Sequence, residues 1–537
     1  MTKYWRDIGS LYQIYPRSFQ DTTGDGVGDV NGITARLDYL SCLGIEAVWI
    51  SPFFTSPMTD FGYDVANYRD VDPTFGTLDD FRRLLNEAHA RGIKVMIDLV
   101  PCHTSDQHPW FVEARSSLGN PKRDYYVWKD PKPDGSEPNN WRSQSGGRAW
   151  KLDEATGQYY LHSFLYTQPD LNWDNPDVRR EMTDVVRFWF DMGVDGMRVD
   201  AIWGISKDPN FSDDSPNPQP PHDTESYGAF IHDHCKYGPH FTQYLRELAS
   251  VCDEYSDRQL VFEFYPDEQL GDIYAQYHEV IHAHPRASAF FMEHRHMSWH
   301  AEHTRNSILE YLHRSVGEAI PFFCLGNHDQ PRVVSRLDYE RAKALNFLNL
   351  LMPGVSIVYY GDEIGMENGV LAATQIRDNF SPASSTVDSR DLERTPMQWN
   401  SSQHAGFSEV EPWLPIHANR ATVNVATQTG DTRSMLTMHQ TLLKLRQTMP
   451  LLVRGSLEPI DTGNGFIVGL KRSFRGQRAY IFVNFASAEQ YVHLPEPSQI
   501  IATTHPWIDF HMNGDQITLP SHAGVLLVTS LADQLTY

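Results

Sequence analysis

Eight short apolar segments, separated by stretches with helical periodicity, constrain the fold of this 537-residue chain more than any other feature. Their side chains are apolar on both faces of an extended chain, which is typical of parallel strands covered by helices. A count of eight favours a closed (β/α)8 barrel of the TIM type over an open doubly wound sheet, so the predicted class is α/β. The segments are residues 11–19, 47–54, 95–103, 196–202, 259–265, 288–292, 321–329 and 355–363.

The sequence between these segments carries the start and stop signals of helices. Thr77 is a predicted N-cap, and the apolar residues behind it recur at i, i+3, i+4 and i+7 until Gly92. Asn175 and Pro176 are predicted to begin a second helix, which Gly193 ends. A strand follows each helix, as a βαβ unit requires.

Three stretches interrupt this alternation. Residues 104–172 lack a long helical pattern and are too many for one loop, so they predict a subdomain inserted after the third strand. Residues 205–223 and 367–390 follow the fourth and eighth strands and are predicted βα loops on the active face. From residue 455 short alternating strands predict an antiparallel C-terminal β domain. The predicted domains are the barrel (1–103 and 173–454), the inserted subdomain (104–172) and the β domain (455–537).

Charge and cysteine content exclude several classes of partner. With 69 acidic against 45 basic residues the formal net charge is -24, which repels nucleic acid and anionic lipid, so we expect neither as a partner. The five cysteines are widely separated and lack C-x-x-C spacing, which indicates reduced thiols. The N-terminal residues lack the apolar stretch of a secretion signal, and we therefore expect a cytoplasmic protein.

Acidic side chains concentrate at the predicted carboxyl ends of strands, where (β/α)8 barrels carry their chemistry. Retaining glycoside hydrolysis needs one carboxylate as nucleophile and one protonated carboxyl as acid. Arg198 precedes Asp200 by two residues, so both project on one side of the strand. Any one of these acids could equally belong to a structural ion pair, but their combination favours catalysis. The strand-end residues are Asp98, His103, Arg198, Asp200, Glu263, Asn327, His328 and Asp329.

Four motifs resemble, in order and spacing, the signature regions of glycoside hydrolase family 13, the α-amylase family. They are DLVPCHTS, GMRVDAI, VFEFYPD and GNHDQPR. QPDLNW is similar to an additional motif of the oligo-1,6-glucosidase and α-glucosidase subgroup. YQIYPRSFQD, FGYDVANY, GDEIGM and RTPMQW also match, so the resemblance extends from Tyr12 to Trp399.

The resemblance implies a role for each matching residue. Asp200 would be the nucleophile, Glu263 the general acid/base, and Asp329 the carboxylate that binds the 2- and 3-hydroxyls. Asp60 and Arg390 would close the pocket around the 4-hydroxyl of a terminal glucose. Without the motifs, Tyr63 would be interpreted as a core aromatic and Arg390 as a surface charge. The full substrate-binding set is Asp60, Tyr63, His103, Phe164, Arg198, His328, Arg390 and Arg394.

Two positions depart from the family pattern. Cys102 stands where an Asn is usual, so its loop must be held by other bonds. Phe262 replaces the usual Gly before Glu263, which leaves Glu268 as an alternative acid.

The segment DTTGDGVGD predicts a cation site near the first strand. Its oxygen ligands have the alternating spacing of a calcium loop, with Gly26 at the turn and without the final Glu. Such runs are more often plain Asx turns, but subgroup members bind one Ca²⁺ or Mg²⁺ here, and the resemblance favours a structural ion. No organic cofactor is expected. The predicted ligands are Asp21, Thr23, Asp25, Asp29 and the Val27 carbonyl.

The resemblance implies a retaining, exo-acting α-glucosidase that acts on small α-glucosides and also transfers glucose to hydroxyl acceptors. Ala201 follows the nucleophile, where Val accompanies α-1,6 preference in this subgroup, so maltose-type or sucrose-type substrates are expected. Sucrose isomerase and trehalose synthase remain alternatives, since they share the first half-reaction. A non-catalytic transporter subunit is disfavoured, because the three acids are present and no membrane anchor is apparent.

Overall fold

A computed structural model describes residues 3–223, 226–293, 299–317, 319–380 and 389–529. Eight parallel strands form a closed barrel in which neighbours along the chain are also neighbours in the sheet. Each strand overlaps one predicted segment, so the barrel prediction is confirmed. The strands are β1 (Ser10–Ile14), β2 (Ala47–Ile50), β3 (Lys94–Leu99), β4 (Gly196–Val199), β5 (Gln259–Phe262), β6 (Ala287–Phe291), β7 (Phe322–Phe323) and β8 (Val355–Tyr359).

Helices between the strands cover the barrel. The Thr77 side chain accepts a hydrogen bond from the Asp80 amide in a capping box, as the predicted N-cap requires. Asn175 caps the helix after β3, and Gly193 ends it in the left-handed conformation at φ 116°. The helices that follow successive strands are Val30–Ala35, Leu37–Leu43, Leu78–Ala90, Pro176–Met192, Phe241–Ser250, Ile273–Ile281, Ala301–Glu310, Tyr339–Asn349 and Met435–Thr448. Shorter helices are Pro109–Ala114, Val333–Arg336, Val425–Gln428 and Pro450–Arg454, and Tyr311–Val316 is a π-helix.

The barrel interior is a packed core. Large side chains such as Trp49, Met96, Phe290 and Phe322 fill it, and all of them are buried. The Trp49 indole donates a hydrogen bond to Asp98 Oδ2 at 2.8 Å, where this apolar core meets the polar mouth. Because the interior is filled, a ligand can reach the strand-end residues only from the mouth.

The chain between β3 and the helix Pro176–Met192 forms a small separate sheet. Trp128–Lys129, Gln158–Leu161 and Trp150–Asp153 pair in that order as an antiparallel sheet. Trp141 and Trp150 lie in its small core, together with Cys235 from the loop after β4. This contact joins the inserted segment to that loop.

The C-terminal part consists of two antiparallel sheets around their own apolar core. The first has the order Ser456–Pro459, Ile467–Phe474, Gln477–Asn484, Gly524–Thr529 and Ser498–Thr503. The second has the order Gln490–His493, Gln516–Leu519 and Met512–Asn513. The predicted C-terminal β domain is therefore confirmed as a fold. Its residues 530–537, like residues 381–388 of the predicted loop after the eighth strand, lie outside the described residues.

Two buried arginines lie where the barrel meets this part, Arg446 on the barrel helix Met435–Thr448 and Arg472 on the strand Ile467–Phe474. Arg446 donates to the carbonyl oxygens of Leu350 at 2.7 Å and Met352 at 2.8 Å. Arg472 donates to the carbonyls of Leu351 at 2.6 Å and Leu452 at 3.0 Å. Both guanidinium groups thus satisfy buried carbonyl groups just after the helix that precedes β8, and Arg472 also bonds to the helix Pro450–Arg454, which joins the C-terminal part to the barrel.

All five cysteines lie in the described part of the chain and are free thiols, with Cys42 exposed and the other four buried. Within the same residues, no helix combines the length and the apolar character that a bilayer crossing would need.

Candidate active site

The carboxyl ends of the barrel strands open into a cavity of about 500 Å³. The predicted acids Asp200, Glu263 and Asp329 all face it, although they come from the ends of three different strands. The lining residues are Asp60, Tyr63, His103, Gln144, Phe164, Asp200, Ala201, Trp203, Glu263, Tyr265, Asp329, Gln330, Phe380 and Arg390.

Arg198 joins the acids at the base of this cavity. Its Nη1 donates to Asp200 Oδ1 at 2.6 Å and also to Asp98, and its Nη2 lies 2.6 Å from Glu263 Oε1. Arg198 is fully buried on β4, two residues before Asp200, so the alternation of the strand brings the two side chains together. One guanidinium therefore orients three carboxylates.

The charges of this cluster do not balance, and that affects its protonation. Burial raises the pKa of Asp98 to about 6 and raises that of Asp200 well above its ordinary value, while the charge of Arg198 opposes both shifts. Three buried acids around a single cation favour retention of a proton by the group. Such a cluster can provide a proton donor and a carboxylate nucleophile in the same site.

Asp329 has a different environment, dominated by cations. Its Oδ1 accepts hydrogen bonds from Arg394 at 2.7 Å and from Arg390 at 3.3 Å, and its Oδ2 lies 3.3 Å from His328 Nε2. Burial favours the neutral acid, but His328 and the two arginines hold the pKa of Asp329 well below its usual range. Asp329 is thus ionised and available to interact with developing positive charge.

The structure distinguishes between the two candidate acids of the fifth strand. Glu263 Oε2 accepts a hydrogen bond from the Ala201 amide at 3.0 Å, and Oε1 accepts one from the Tyr265 hydroxyl at 3.1 Å. Ala201 is in the left-handed conformation at φ 44°, which directs its N–H at this carboxylate. Glu268 is exposed on the turn Glu268–Leu270 and does not line the cavity.

An ion-pair network forms one wall of the cavity. Arg390 Nη2 donates to Asp60 at 2.8 Å and to Asp378 at 2.7 Å, while Gln168 Nε2 donates to the other oxygen of Asp60 at 2.9 Å. The two predicted partners, Asp60 and Arg390, are therefore in contact. The sequence pattern did not predict Asp378, since nothing in its loop separates it from other acidic residues.

Aromatic side chains supply the apolar surfaces of the site. Tyr63 stacks on His328 with ring centroids 5.4 Å apart, and its hydroxyl lies 2.7 Å from His328 Nε2. Phe164 contacts His103 at 5.1 Å and Trp203 at 5.4 Å between centroids. All eight predicted substrate-binding residues lie in or directly behind the cavity lining. The lining residues missed from sequence are Gln144, Trp203, Tyr265, Gln330 and Phe380, of which Trp203 could have been found from its place just after β4.

The loop that carries Cys102 is held without the usual Asn. Cys102 is buried against Ala201, and its carbonyl accepts a hydrogen bond from the Leu171 amide at 2.9 Å. Lys207 and Asp170 form a buried ion pair of 2.9 Å nearby. Backbone bonds therefore connect the Cys102 loop to the QPDLNW segment, and the ion pair connects that segment to the loop after β4.

The predicted cation loop is folded around its own amides. Asp21 Oδ1 accepts hydrogen bonds from the Thr23 amide at 2.9 Å and the Gly24 amide at 2.8 Å. Its Oδ2 accepts from the Gly26 amide at 2.9 Å and from the Ser408 hydroxyl at 2.6 Å. These bonds hold the turn together without an ion.

The other aspartates of this loop also bond within it or close to it. The Asp29 carboxylate accepts hydrogen bonds from the Thr22 amide at 2.7 Å and the Gly32 amide at 2.7 Å. In the described residues, the loop's three aspartates form no group whose ligand atoms all lie within 4.8 Å of one another. The aspartates therefore do not form a cation cage by themselves. A site that also used Thr23 and the Val27 carbonyl stays a prediction, and no step of the chemistry depends on it.

Comparison with known proteins agrees with the barrel fold. Residues 13–455 match the family model described as alpha amylase, catalytic domain. A probable alpha-glucosidase of Rhizobium meliloti is 40% identical over 513 residues, which cover 92% of this chain and 91% of the relative.

Solved structures are similar over nearly the whole chain. The crystal structure of an alpha-glucosyl transfer enzyme has a TM-score of 0.91 and 37% identity, covering 99% of this chain and 100% of that one. A trehalulose synthase from Pseudomonas mesoacidophila MX-45 has a TM-score of 0.86 and 34% identity, covering 98% of this chain and 99% of that one. With the family model and the sequence relative, these matches show that the chain is an enzyme of the α-amylase family, glycoside hydrolase family 13.

Proposed function

We propose that this enzyme is a retaining, exo-acting α-glucosidase that releases α-glucose from the non-reducing ends of short α-glucosides and transfers glucose to hydroxyl acceptors. The observation that carries the proposal is the cluster in which Arg198 holds Asp200 and Glu263 at the base of the cavity. Two carboxyl groups held beside one reacting centre, one protonated and one ionised, are the requirement for retaining glycoside hydrolysis.

In the first step Asp200 attacks the anomeric carbon and forms a β-glucosyl ester, while Glu263 donates its proton to the departing glycosidic oxygen. Asp329, held ionised by Arg390 and Arg394, stabilises the positive charge that develops on the sugar ring. The Ala201 amide and the Tyr265 hydroxyl keep Glu263 in place for this transfer.

In the second step Glu263, now ionised, removes a proton from water or from an acceptor hydroxyl, and that oxygen displaces Asp200. Two inversions at one carbon restore the α configuration. Water and acceptor compete for the same intermediate, so the ratio of hydrolysis to transfer depends on what the acceptor side binds.

The wall formed by Asp60 and Arg390 supports exo action. Its charged groups would bind the 4-hydroxyl of a terminal glucose, and a longer chain would have to displace the ion pair. Ala201 lines the cavity beside Asp200 with only a methyl group, which supports maltose and sucrose as substrates. The free thiols support a cytoplasmic location.

Transfer or isomerisation as the main reaction is the second candidate. Trp203, Tyr265 and Phe380 line the cavity alongside Phe164 and give the acceptor side aromatic surfaces on which a second sugar could stack. Incubation with maltose, isomaltose and sucrose in turn separates the candidates. Monosaccharides as the sole products would identify hydrolysis, an isomeric disaccharide would identify isomerisation, and longer glucosides formed alongside the released sugar would identify transfer.

The anomeric form of the first product tests the double-displacement mechanism. An aryl α-glucoside, which releases only one glucose per cleavage, should yield α-glucose by NMR in the first minutes, and this glucose later mutarotates. Added alcohol should yield α-linked alkyl glucoside in an amount that rises with its concentration. Initial β-glucose would exclude the covalent route through Asp200, and rapid internal cutting of starch would exclude the pocket.

The cation at the loop 21–29 stays a prediction, and chelation tests it. If Ca²⁺ or Mg²⁺ binds, chelator should lower the melting temperature of the wild-type chain and leave Asp21→Ala unchanged, because ligand linkage requires the site. Asp21→Ala lowers stability in either case, since Asp21 anchors the turn. An equal chelator response in both proteins, with no bound Ca²⁺ or Mg²⁺ by elemental analysis, would identify a plain Asx turn.

A further inference from the structure

Asp214, His232 and Cys235 form a compact cluster in the loop after β4, outside the residues that line the cavity. Their potential ligand atoms all lie within 4.8 Å of one another, and all three side chains are buried. Within the described chain they are the one group of three such side chains that meets this spacing. The cysteine spacing of the sequence did not indicate the cluster, because its members lie on different turns of one loop.

The tautomer of His232 directs a lone pair into the cluster. Its Nε2 lies 2.8 Å from the Tyr227 carbonyl oxygen, which can only accept, so Nε2 carries the hydrogen of the neutral ring. Its Nδ1 then presents a lone pair to Asp214 Oδ2 at 3.4 Å and to Cys235 Sγ at 3.5 Å. A histidine that donates one N–H to a carbonyl and turns the other nitrogen inward is the usual arrangement of a metal ligand.

Asp214 contributes a buried oxygen that faces the other two side chains of the cluster. Its Oδ1 accepts hydrogen bonds from the amides of His234 at 2.8 Å and Cys235 at 3.1 Å, which orients the carboxylate. Its Oδ2 is buried and has no hydrogen-bond partner in the structure. Asp214 is 2% exposed, so water does not replace the missing donor at the protein surface.

We propose that Asp214 Oδ2, His232 Nδ1 and Cys235 Sγ bind one Zn²⁺ ion, with a fourth position left for water. Tetrahedral zinc with bonds of about 2.0–2.3 Å places its ligands about 3.3–3.7 Å apart, and the two measured separations of 3.4 Å and 3.5 Å agree. The mixed oxygen, nitrogen and sulfur set selects zinc over Ca²⁺ or Mg²⁺, which prefer oxygen ligands alone.

The ion would connect the loop to both the inserted subdomain and the cavity wall. Asn140 of the inserted segment exchanges hydrogen bonds with the Asp214 backbone at 2.7 Å and 2.9 Å. The His232 ring stacks on Tyr227 at 3.6 Å, and the Tyr227 hydroxyl accepts a hydrogen bond of 3.4 Å from Gln144, which lines the cavity. Zinc would therefore stiffen the acceptor side of the pocket through Tyr227 and Gln144.

Metal titration of the untagged, full-length chain tests the site. The Cys42→Ser background removes the exposed thiol, and excess Mg²⁺ occupies carboxylate sites that take hard cations. After chelation and desalting, one Zn²⁺ per chain should bind, and Co²⁺ in its place should show a thiolate charge-transfer band.

Two variants separate ligation from folding. Asp214→Asn keeps the oxygen that accepts both amides and removes only the free one, so it should fold while its Kd for Zn²⁺ rises at least about tenfold. Cys235→Ser should lose the Co²⁺ band, whereas Cys252→Ser, which changes a buried thiol elsewhere, should retain it. Wild-type zinc affinity in Asp214→Asn, or a Co²⁺ spectrum without thiolate character in the Cys42→Ser chain, would overturn the proposal.

Discussion

Replacing Asp200 with Asn is expected to lower the turnover of maltose by about 10⁴-fold or more, because the amide cannot form the glucosyl ester. The variant should remain folded. Its side chain keeps the volume of the original and can still accept a hydrogen bond from Arg198 through its carbonyl oxygen. Initial rates with maltose, together with the melting temperature, measure the two effects separately.

Glu263→Gln should lower maltose turnover by about 10²–10⁴-fold, the usual contribution of general acid–base catalysis. An aryl glucoside with a good leaving group needs no proton in the first step, so the variant should still form the glucosyl ester from it. Azide needs no base and should release that ester as α-glucosyl azide. This rescue is specific to an acid/base residue, and a merely structural glutamate would not show it.

Glu268→Gln is the matched control for that experiment. Glu268 is exposed and lies outside the cavity, so its replacement should leave maltose turnover near the wild-type rate. Near-normal activity of Glu263→Gln, accompanied by a large loss in Glu268→Gln, would transfer the acid role to Glu268.

Arg390→Gln should lower kcat/KM for maltose by roughly 30- to 1,000-fold, or about 2–4 kcal/mol, the usual cost of truncating one partner of a buried charge pair. Arg390 contacts Asp60, Asp329 and Asp378 at the same time. Its replacement therefore leaves the negative charges of three carboxylates with less positive charge beside them. The pKa of Asp378, which Arg390 holds well below its usual range although burial opposes this, should rise. Protonation of Asp378 at acid pH would then weaken the cavity wall further.

Two comparisons show whether that loss arises in the pocket. Arg377→Gln changes an exposed arginine of the same loop and should alter kcat/KM little. The double variant Asp60→Asn/Arg390→Gln should lose less kcat/KM, expressed as free energy, than the two single variants lose together. The reason is that the two side chains share a 2.8 Å contact. Fully additive losses would show that the ion pair does not act as a unit.

Structural features that depend on a few neighbouring residues could be predicted from the sequence. The eight strands follow from apolar segments of a few residues, and their order follows from the helices between them. Arg198 and Asp200 fall on one side of β4 because side chains alternate with period two. Asp329 could be placed at the mouth for a similar reason, since barrel chemistry lies at strand ends.

Other features depend on distant parts of the chain meeting. Sequence left Glu263 and Glu268 as alternatives, and only the path after β5 places one in the cavity and the other at the surface. Arg390 forms an ion pair with Asp378 of its own loop and another with Asp60, which lies 330 positions earlier in the sequence. No periodicity encodes such contacts.

The sequence by itself determined the barrel, the strand-end acids and the family, because strand and helix patterns and short motifs are local properties of the chain. Only the tertiary structure showed that the aspartates of the loop 21–29 face their own amides, and that Asp214, His232 and Cys235 converge. The physical reason is the same in both cases. The direction of a side chain within a loop is set by the bonds that fold the loop, and those bonds do not repeat along the sequence.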